Sequence, residues 1–247
     1  MNKLGWIPDF PDHRDLKFKV EQYVELSSSI DLRPDMPPVY QQGGIGSCTA
    51  NALAAALQFS YKKQNLPDVT PSRLFIYYNE RDMEGTINSD SGAMLRDGIK
   101  SIAAVGDCPE TEWDYIEEKF KDKPTDTCYQ DASKIKAIKY ESIDQDLYHL
   151  KYCLQQGYPF VFGFTVFNSF MSEEVAKTGI MSLPTPYESC AGGHAICALG
   201  YDDSKQCFII RNSWGKDWGL DGHFLMPYEY ITHPNLATDF WAINVVG

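Results

Sequence analysis

The two halves of the chain carry different hydrophobic patterns, and this division constrains the fold more than any other feature. The first half predicts three helices, at Ser47–Lys63, Ser72–Met83 and Ser91–Gly106, each with a serine near its start. From Tyr158 onward, runs rich in Phe, Val and Ile alternate with Gly and Asp turns and predict strands. Segregated helices and strands indicate an α+β protein with a helical lobe, a β lobe and a cleft between them.

The chain before and between these halves sets the domain boundaries. Residues 1–40 contain several prolines and little periodicity, which predicts an extended, irregular strap that must be held on the domain surface. We therefore expect an N-terminal extension at 1–28 and one domain at 29–247. Its helical lobe is expected at about 41–135, and its β lobe at about 136–239 plus 29–40. A further helix is predicted between a Ser142 cap and a stop at Gly157.

Charge and hydropathy exclude several classes of function. The formal net charge of −12 argues against a nucleic-acid binder and against attraction to an anionic membrane surface. The longest near-apolar stretch, YPFVFGFTVF, is much shorter than the roughly 20 residues of a membrane-spanning helix. The N-terminus shows no apolar run typical of a secretory signal. The compartment therefore stays open, with the cytoplasm as the default and release or packaging as alternatives.

Cysteine and histidine spacing predicts neither a metal site nor a cofactor. There is no C-x-x-C, and none of the five histidines is followed by another four residues later. Without a signal for secretion the default is reduced thiols, although a disulfide between Cys108 and Cys128 stays an open alternative. His149, His223 and His233 are interpreted as ordinary surface or core residues. The seven cysteines are Cys48, Cys108, Cys128, Cys153, Cys190, Cys197 and Cys207.

Cys48 stands where a glycine-rich turn, QGGIGSC, runs into an Ala/Leu-rich helix. The backbone N–H groups and the dipole at a helix N-terminus favour an anion, so this position should lower the pKa of a thiol. Gln42 lies across the turn, and its side-chain amide can point back toward the thiol. Together with the Cys48 N–H it would form an oxyanion hole.

His194 and Asn212 are the predicted partners of this thiol. His194 follows two glycines at the start of the apolar run GHAICALGYDD, and Asn212 opens NSWGKDWG after the next strand. A hairpin between these strands would bring Asn212 to the imidazole, where its side-chain oxygen can orient the ring. Trp214 would shield that hydrogen bond from water, and Trp218 would line the same wall.

Taken together and in this order, QGGIGSC, GHA and NSWGKDWG resemble the papain/cathepsin family of cysteine peptidases over about residues 29–247. The resemblance implies a papain-like fold with a helical left lobe, an antiparallel β-barrel right lobe and the active site in the cleft between them. It assigns Cys48 as nucleophile, His194 as general acid and base, and Asn212 as the residue that orients the ring. Gln42 is the implied oxyanion donor, and no cofactor is needed.

The chain departs from the family at its signature and at its N-terminus. Ile45 replaces the first signature cysteine, so that family disulfide cannot form, and Thr49 replaces an aromatic residue. The short extension contains GWIPDFPDHRD and resembles that of a microbial, xylellain-like subgroup, in which it lies near or across the cleft. Trp6, Ile7 and Phe10 are its expected apolar anchors. Whether the extension blocks the cleft as in a zymogen, or is only a structural strap, stays open.

The resemblance also implies substrate contacts. Ser91 and Gly92 match the stretch that holds the substrate backbone, while Ala93, Met94 and Ala195 would line a pocket for the residue two before the cut. Thr238 or Asp239 would lie at the floor of that pocket, and if Asp239 faces in, the pocket would also accept a basic side chain. The remaining predicted contacts are Gly193, Trp214 and Trp218.

The predicted reaction is peptide hydrolysis through a thioester, run by a Cys48–His194 ion pair with a lowered thiol pKa and a raised imidazole pKa. No paired histidines mark a carboxydipeptidase loop, which favours an endopeptidase, although a blocking extension could restrict cutting to chain ends. The expected form is a monomer that acts on polypeptides. Two alternatives stay open: an acyl transferase or transpeptidase, and a catalytically silent peptide-binding homologue.

Overall fold

A computed structural model of the protein describes residues 3–246. The helices are α1 (Cys48–Lys63), α2 (Arg73–Glu84), α3 (Leu95–Val105), α4 (Asp126–Ala132), α5 (Leu147–Gln155), α6 (Glu173–Thr178) and α7 (Tyr228–Ile231). The strands are β1 (Ser29–Asp31), β2 (Ala137–Ser142), β3 (Phe160–Phe167), β4 (Cys190–Asp202), β5 (Cys207–Arg211), β6 (His223–Pro227) and β7 (Ala237–Val246). None of the helices within 3–246 has both the length and the apolar character that crossing a membrane requires.

The seven strands form one antiparallel sheet in the order β2-β7-β3-β4-β5-β6, with β1 paired to β4. The expected barrel is wrong, because the outer strands β2 and β6 do not pair with each other within the described chain. The sheet instead stays open and buries side chains on both faces.

Alternation along β3 distributes these side chains between two cores. Phe160, Phe162 and Phe164 belong to the cluster that includes residues of α5 and α7, while Val161 belongs to the cluster around α1. Because successive residues of a strand point to opposite faces, a Phe/Val-rich run of this kind is typical of a strand covered on both sides. The sheet is thus the wall that separates the two cores.

Helix α1 is the central element of the helical half. Its sequence is apolar on nearly every side, and only its last two residues are exposed. A helix of that type must be buried all round. It packs on β4 and β7, where Ala195, Leu199 and Trp241 join its core, and on the opposite side it meets α2 and α3. This packing fixes the N-terminus of α1, and with it Cys48, against β4.

Two predicted helix starts are wrong. Ser142 ends β2, and helix α5 begins only at Leu147, where the Asp146 carboxylate accepts from the N–H groups of Tyr148 and His149. Asp competes well with Ser as an N-cap, and the β-rich run before it belongs to the sheet. Helix α3 begins at Leu95 rather than near Ser91, because the preceding residues run extended along the cleft.

The extension follows a path that touches both lobes. Trp6 bridges to Ala93 beside α3, and Lys17 then bridges to Ser142 at the end of β2. Between 19 and 27 its residues are mostly exposed, and Ser29 enters β1. The extension is therefore a strap along the protein surface and an occupant of the cleft at the same time.

Candidate active site

A glycine-rich turn leads from Gln42 to Cys48, and Ser213 holds the beginning of that turn. The Gln42 backbone N–H donates to Ser213 O at 2.8 Å, and its side-chain Oε1 accepts from Ser213 Oγ at 2.6 Å. Gly43 adopts a φ of +70°, and a Cβ there would lie 1.8 Å from the Glu117 carboxylate. This left-handed position explains why the turn needs glycine.

Cys48 is the first residue of α1 and is fully buried. The backbone N–H groups of Ala195, Gly5 and Thr49 face its thiol. Loss of contact with water nevertheless dominates and raises the pKa of the thiol to about 12. In the covered site burial therefore favours the neutral thiol of Cys48 over the thiolate.

His194 lies in β4, one residue before Ala195, and is also fully buried. Its Nε2 is 2.8 Å from Asn212 Oδ1, which in turn accepts from the Ser213 N–H at 2.8 Å. Because that amide oxygen can only accept, Nε2 must carry the proton. Nδ1 has no hydrogen-bond partner in the described part of the chain and is the nitrogen left to exchange a proton.

Trp214 and Trp218 enclose the histidine–asparagine pair. The Trp214 ring stacks on the His194 ring with centroids 4.9 Å apart, and Trp218 meets Trp214 edge to face at 5.2 Å. These rings keep water from the hydrogen bond and hold the imidazole in one orientation. Trp214 thus covers the imidazole, and Trp218 packs against Trp214.

The electrostatic state of this covered site differs from the predicted ion pair. Burial lowers the pKa of His194 to about 4, and the Asn212 hydrogen bond opposes that shift only in part. The pKa of the Cys48 thiol is raised, not lowered. Both shifts have one cause, which is that the site is closed to solvent and a charged form would lose its hydration.

The closure comes from the extension. The N–H groups of Gly5 and Trp6 both donate to Gly193 O at 3.1 Å, and Ala93 exchanges backbone hydrogen bonds with Gly5 and Ile7 on the opposite wall. The Gln42 Nε2 donates to Lys3 O at 2.8 Å. A strand-like segment, Lys3–Ile7, thus fills the cleft above the thiol.

Trp6 occupies a deep pocket, here called the Trp6 pocket, lined by Ala93, Gly163 and Asp239. Its ring lies so close to Gly163 that a Cβ there would be 1.8 Å from Trp6 Cε2. Its indole N–H donates to Asp239 Oδ2 at 3.1 Å. Thr238 and Asp239 were the two residues predicted for the floor of this pocket, and it is the Asp239 carboxylate that faces into it.

Of the other predicted substrate contacts, some line the cleft and others do not. Ala93, Gly193 and Ala195 lie at the cleft, and a Cβ on Gly92 would collide with Gly5 O at 1.8 Å. Met94 borders a groove outside it, and Thr238 contributes a hydroxyl that donates to the Asp239 carboxylate. Ser91 was expected to hold backbone but is exposed, and its hydroxyl donates to the neighbouring Gly92 O.

Sequence reasoning missed three residues of the cleft and misread one anchor. Gly163 had a usable signal, because a glycine inside a Phe/Val strand often marks a close approach of another group. Asp9 and Arg96 carried none, since exposed charges are common on any surface. The Phe10 ring was the predicted anchor, but it is 73% exposed. The Phe10 backbone holds the extension instead, because its carbonyl accepts a hydrogen bond from Arg96.

Comparison with known proteins agrees with this geometry. The family model described as papain family cysteine protease matches residues 26–241. An uncharacterized peptidase C1-like protein of Acanthamoeba polyphaga mimivirus is 44% identical over 98% of this chain and 87% of its own. A cathepsin B-like protein of Giardia intestinalis is 28% identical over 81% of this chain and 69% of its own.

Solved structures give the same result. Xylellain, a cysteine protease from Xylella fastidiosa, has a TM-score of 0.94 and 48% identity, covering 97% of this chain and 95% of that one. A digestive procathepsin from Tenebrio molitor shares the fold with a TM-score of 0.75 at 20% identity, over 94% of this chain and 74% of its own. The chain belongs to the papain family of cysteine proteases and is a cysteine-type peptidase.

Proposed function

We propose that Cys48 is the nucleophile of this peptidase, with His194 as its acid and base, Asn212 as the residue that orients the imidazole and Gln42 as oxyanion donor. One observation carries the proposal: Gln42 Nε2 donates at 2.8 Å to a peptide carbonyl, Lys3 O, two residues before the Gly5 N–H that faces the buried thiol. Side-chain amides at such positions stabilise the oxyanion of acyl transfer.

The reaction follows from the donor set. His194 Nδ1 takes the thiol proton, and the Cys48 sulfur attacks the scissile carbonyl carbon to form a tetrahedral oxyanion. The imidazolium then protonates the departing amine, which leaves a thioester on Cys48. Water, deprotonated by His194, attacks this thioester and releases the acid product. Asn212 keeps Nε2 protonated throughout, so that Nδ1 is the nitrogen that exchanges protons.

We propose that the extension restrains this reaction. A substrate would place the carbonyl of its scissile bond at Gln42. The side chain in the Trp6 pocket would then belong to an earlier residue of that substrate, because the pocket is assigned to the residue two before the cut. In the extension, Lys3 O lies at Gln42 while the pocket is filled by Trp6, three residues later. The segment thus runs in the direction opposite to that of a substrate, and its Gly5 N–H faces the thiol.

Once the extension leaves, the Trp6 pocket presents a carboxylate to its new occupant. Asp239 Oδ2 loses its two donors, the Trp6 indole N–H and the Asp9 backbone N–H. A lysine or arginine side chain at the second position before the cut would replace them with charge-assisted hydrogen bonds. We propose an endopeptidase that accepts such basic residues, acting on polypeptides that lie extended between Gly193 and Ala93.

The test compares two aromatic substitutions in the extension of the full chain. Trp6→Ala removes a ring that is 8% exposed, while the matched control Phe10→Ala removes one that is 73% exposed. Trp6→Ala should lose about 3 kcal/mol of packing, which raises the rates of Cys48 alkylation and of peptide hydrolysis about 10²-fold. Phe10→Ala should leave both rates unchanged. Equal rates in both would contradict the restraint. Peptide hydrolysis by Trp6→Ala that persists after Cys48→Ala is added would contradict the nucleophile.

A further inference from the structure

Two carboxyl groups meet where the extension crosses from the cleft to the surface of the β lobe. The Asp9 backbone N–H donates to Asp239 Oδ2 at 2.8 Å, which sets the Asp9 and Asp239 side chains beside each other. Trp241 Nε1 donates to Asp9 Oδ2 at 3.0 Å, and the Arg96 backbone N–H donates to Asp9 Oδ1 at 3.1 Å. One member of this carboxyl pair belongs to the extension and the other to the peptidase domain.

The neighbouring positive charge offsets only part of the effect of burial. The Arg96 guanidinium on α3 is ion-paired with Asp15, with an Nη2–Oδ2 distance of 2.6 Å. It also lowers the pKa of Asp9 and of Asp239, but burial is the larger effect at both. Glu84 on α2 is a further carboxyl group near Asp9, and burial raises its own pKa to about 7. The other charged or titratable groups around Asp9 and Asp239, or along the adjoining groove, are Asp12, His13, Lys17, Asp97, Lys100 and Asp144.

Burial and mutual repulsion therefore make double ionisation costly. Loss of water is the largest effect that raises the pKa of Asp9, to about 7, with repulsion from Asp239 next. Burial also raises the pKa of Asp239. The two carboxyl groups repel each other when both are ionised, so their titrations are linked and the shift belongs to the pair.

We propose that the Asp9–Asp239 carboxyl pair is a pH-dependent lock, which holds the extension in the cleft in acid and releases it as the pH rises toward neutrality. This inference rests on the proposed restraint of the cleft by the extension and adds its regulation. It locates the control at a contact between the extension and the floor of the Trp6 pocket, outside the Cys48–His194 pair.

The sign follows from proton linkage. The closed form holds a proton that the open form, with both carboxyl groups in water, gives up near the ordinary Asp value of 3.8. Closure is therefore fully stabilised below about pH 4 and loses that stabilisation as the pH rises to about 7. Across this window the equilibrium constant for opening should increase by up to tenfold per pH unit.

Hydrogen exchange of the full chain measures opening without using catalysis. All samples carry Cys48→Ala, so that no self-cleavage occurs. The protection of the Trp6 and Ile7 amides, which donate to Gly193 O and Ala93 O, is followed from pH 4 to pH 8 after correction for intrinsic exchange. Asp9→Asn and Asp239→Asn each remove one titrating group while keeping an acceptor oxygen. Lys3→Gln is the matched control, because it breaks the Lys3–Asp90 salt bridge and leaves the pair intact.

The expected protection falls up to tenfold per pH unit between pH 4 and pH 7 and then levels. Asp9→Asn and Asp239→Asn flatten this dependence, whereas Lys3→Gln lowers protection by a constant factor and keeps the slope. Protection that is flat or rises with pH in the parent chain, or a slope that survives both Asn substitutions, overturns the lock. Neither outcome depends on peptide hydrolysis, so a failure of the proposed catalytic roles would be seen separately.

Discussion

At the scale of single residues, Gln42 has two hydrogen-bonding ends with different tasks. Its Oε1 accepts from Ser213 Oγ at 2.6 Å, which fixes the amide, and its Nε2 points at the carbonyl of Lys3. An oxyanion donor must be oriented before the reaction begins, because reorientation during the reaction would add to the barrier. The Ser213 contact supplies that orientation and was not visible as a motif.

Gln42→Ala should lower kcat about 10²- to 10³-fold while KM changes little, because the lost hydrogen bond strengthens only as the oxyanion forms. The assay uses the Trp6→Ala background, in which the extension no longer competes for Gln42. Circular dichroism checks that the fold is kept. A KM effect with unchanged kcat would assign Gln42 to ground-state binding instead.

Gly163→Ala should act on the extension from the opposite side of the Trp6 pocket. The added Cβ would lie 1.8 Å from Trp6 Cε2, so the indole must leave and Cys48 alkylation should become faster, as in Trp6→Ala. Because both changes remove the same contact, the double variant should be no faster than either single one. Additive rate increases would show that Gly163 acts elsewhere.

At the scale of elements, an irregularity in β7 turns Asp239 toward the cleft. Val161 pairs with Trp241 and Gly163 with Thr238, so two residues of β7 oppose one of β3. Asp239 has a φ of +60°, while Phe240 points into the core and stacks on Phe162 at 5.1 Å. β-bulges commonly re-aim a side chain beside a functional site.

Helix α5 depends on its Asp146 cap. Asp146 Oδ1 accepts from the Tyr148 N–H at 3.0 Å and from the His149 N–H at 3.2 Å. Asp146→Ala should lower the free energy of unfolding by about 1 kcal/mol in a urea titration at pH 7, and Asp146→Asn should retain most of it.

Acid should remove the same stabilisation. The His149 side chain is the largest of the contacts that lower the pKa of Asp146. The stabilisation is therefore present above the ordinary Asp value and lost as the pH falls below it. Equal urea midpoints for the parent chain and Asp146→Ala at pH 7 would contradict the cap.

At the scale of the whole molecule, the extension joins the two lobes across the cleft. It contacts the helical side through Ala93 and Arg96, and the β side through Gly193, Asp239 and Ser142. Release of this one segment would uncover the thiol without any movement of the lobes, which share α1 and the sheet as a common core. Regulation by the extension therefore does not require a change of fold.

Buried acids should also make global stability fall as the pH rises. Glu80 is fully buried between α1 and α3, and burial is the main cause that raises the pKa of its side chain. Its Oε1 accepts from Thr49 Oγ1 at 2.6 Å, and Oε2 has no partner in the described part of the chain. The folded state therefore retains a proton that the unfolded state loses above about pH 4.5.

Glu80→Gln keeps an acceptor for Thr49 and removes that titration. Relative to the parent chain, the variant should gain stability as the pH rises above the ordinary Glu value of 4.5, by up to about 1.4 kcal/mol per pH unit. Thermal unfolding of both proteins, each carrying Cys48→Ala, measures the difference at each pH. A difference that stays constant would mean that Glu80 is already ionised in the folded protein.

The sequence by itself determined the division into helices and strands, because the periodicity of apolar residues is a local pattern that neighbouring residues suffice to specify. Three motifs in order identified the family, and the proposed set Gln42, Cys48, His194 and Asn212 follows from that resemblance. The start of the helix at Leu147 and the open sheet were harder to predict from the sequence. The choice between Ser142 and Asp146 as the helix cap depends on tertiary contacts, and so does the pairing of distant strands.

Only the tertiary structure decided what fills the cleft and with which charge. Trp6 meets Gly163, and Asp9 meets Asp239, across more than half the length of the chain, so no local pattern encodes either contact. The neutral state of the covered Cys48 and His194 has the same origin, because it depends on water being excluded by a segment that is remote in sequence. Burial is a property of the packed molecule, and the charge of an ionisable group follows burial as much as residue type.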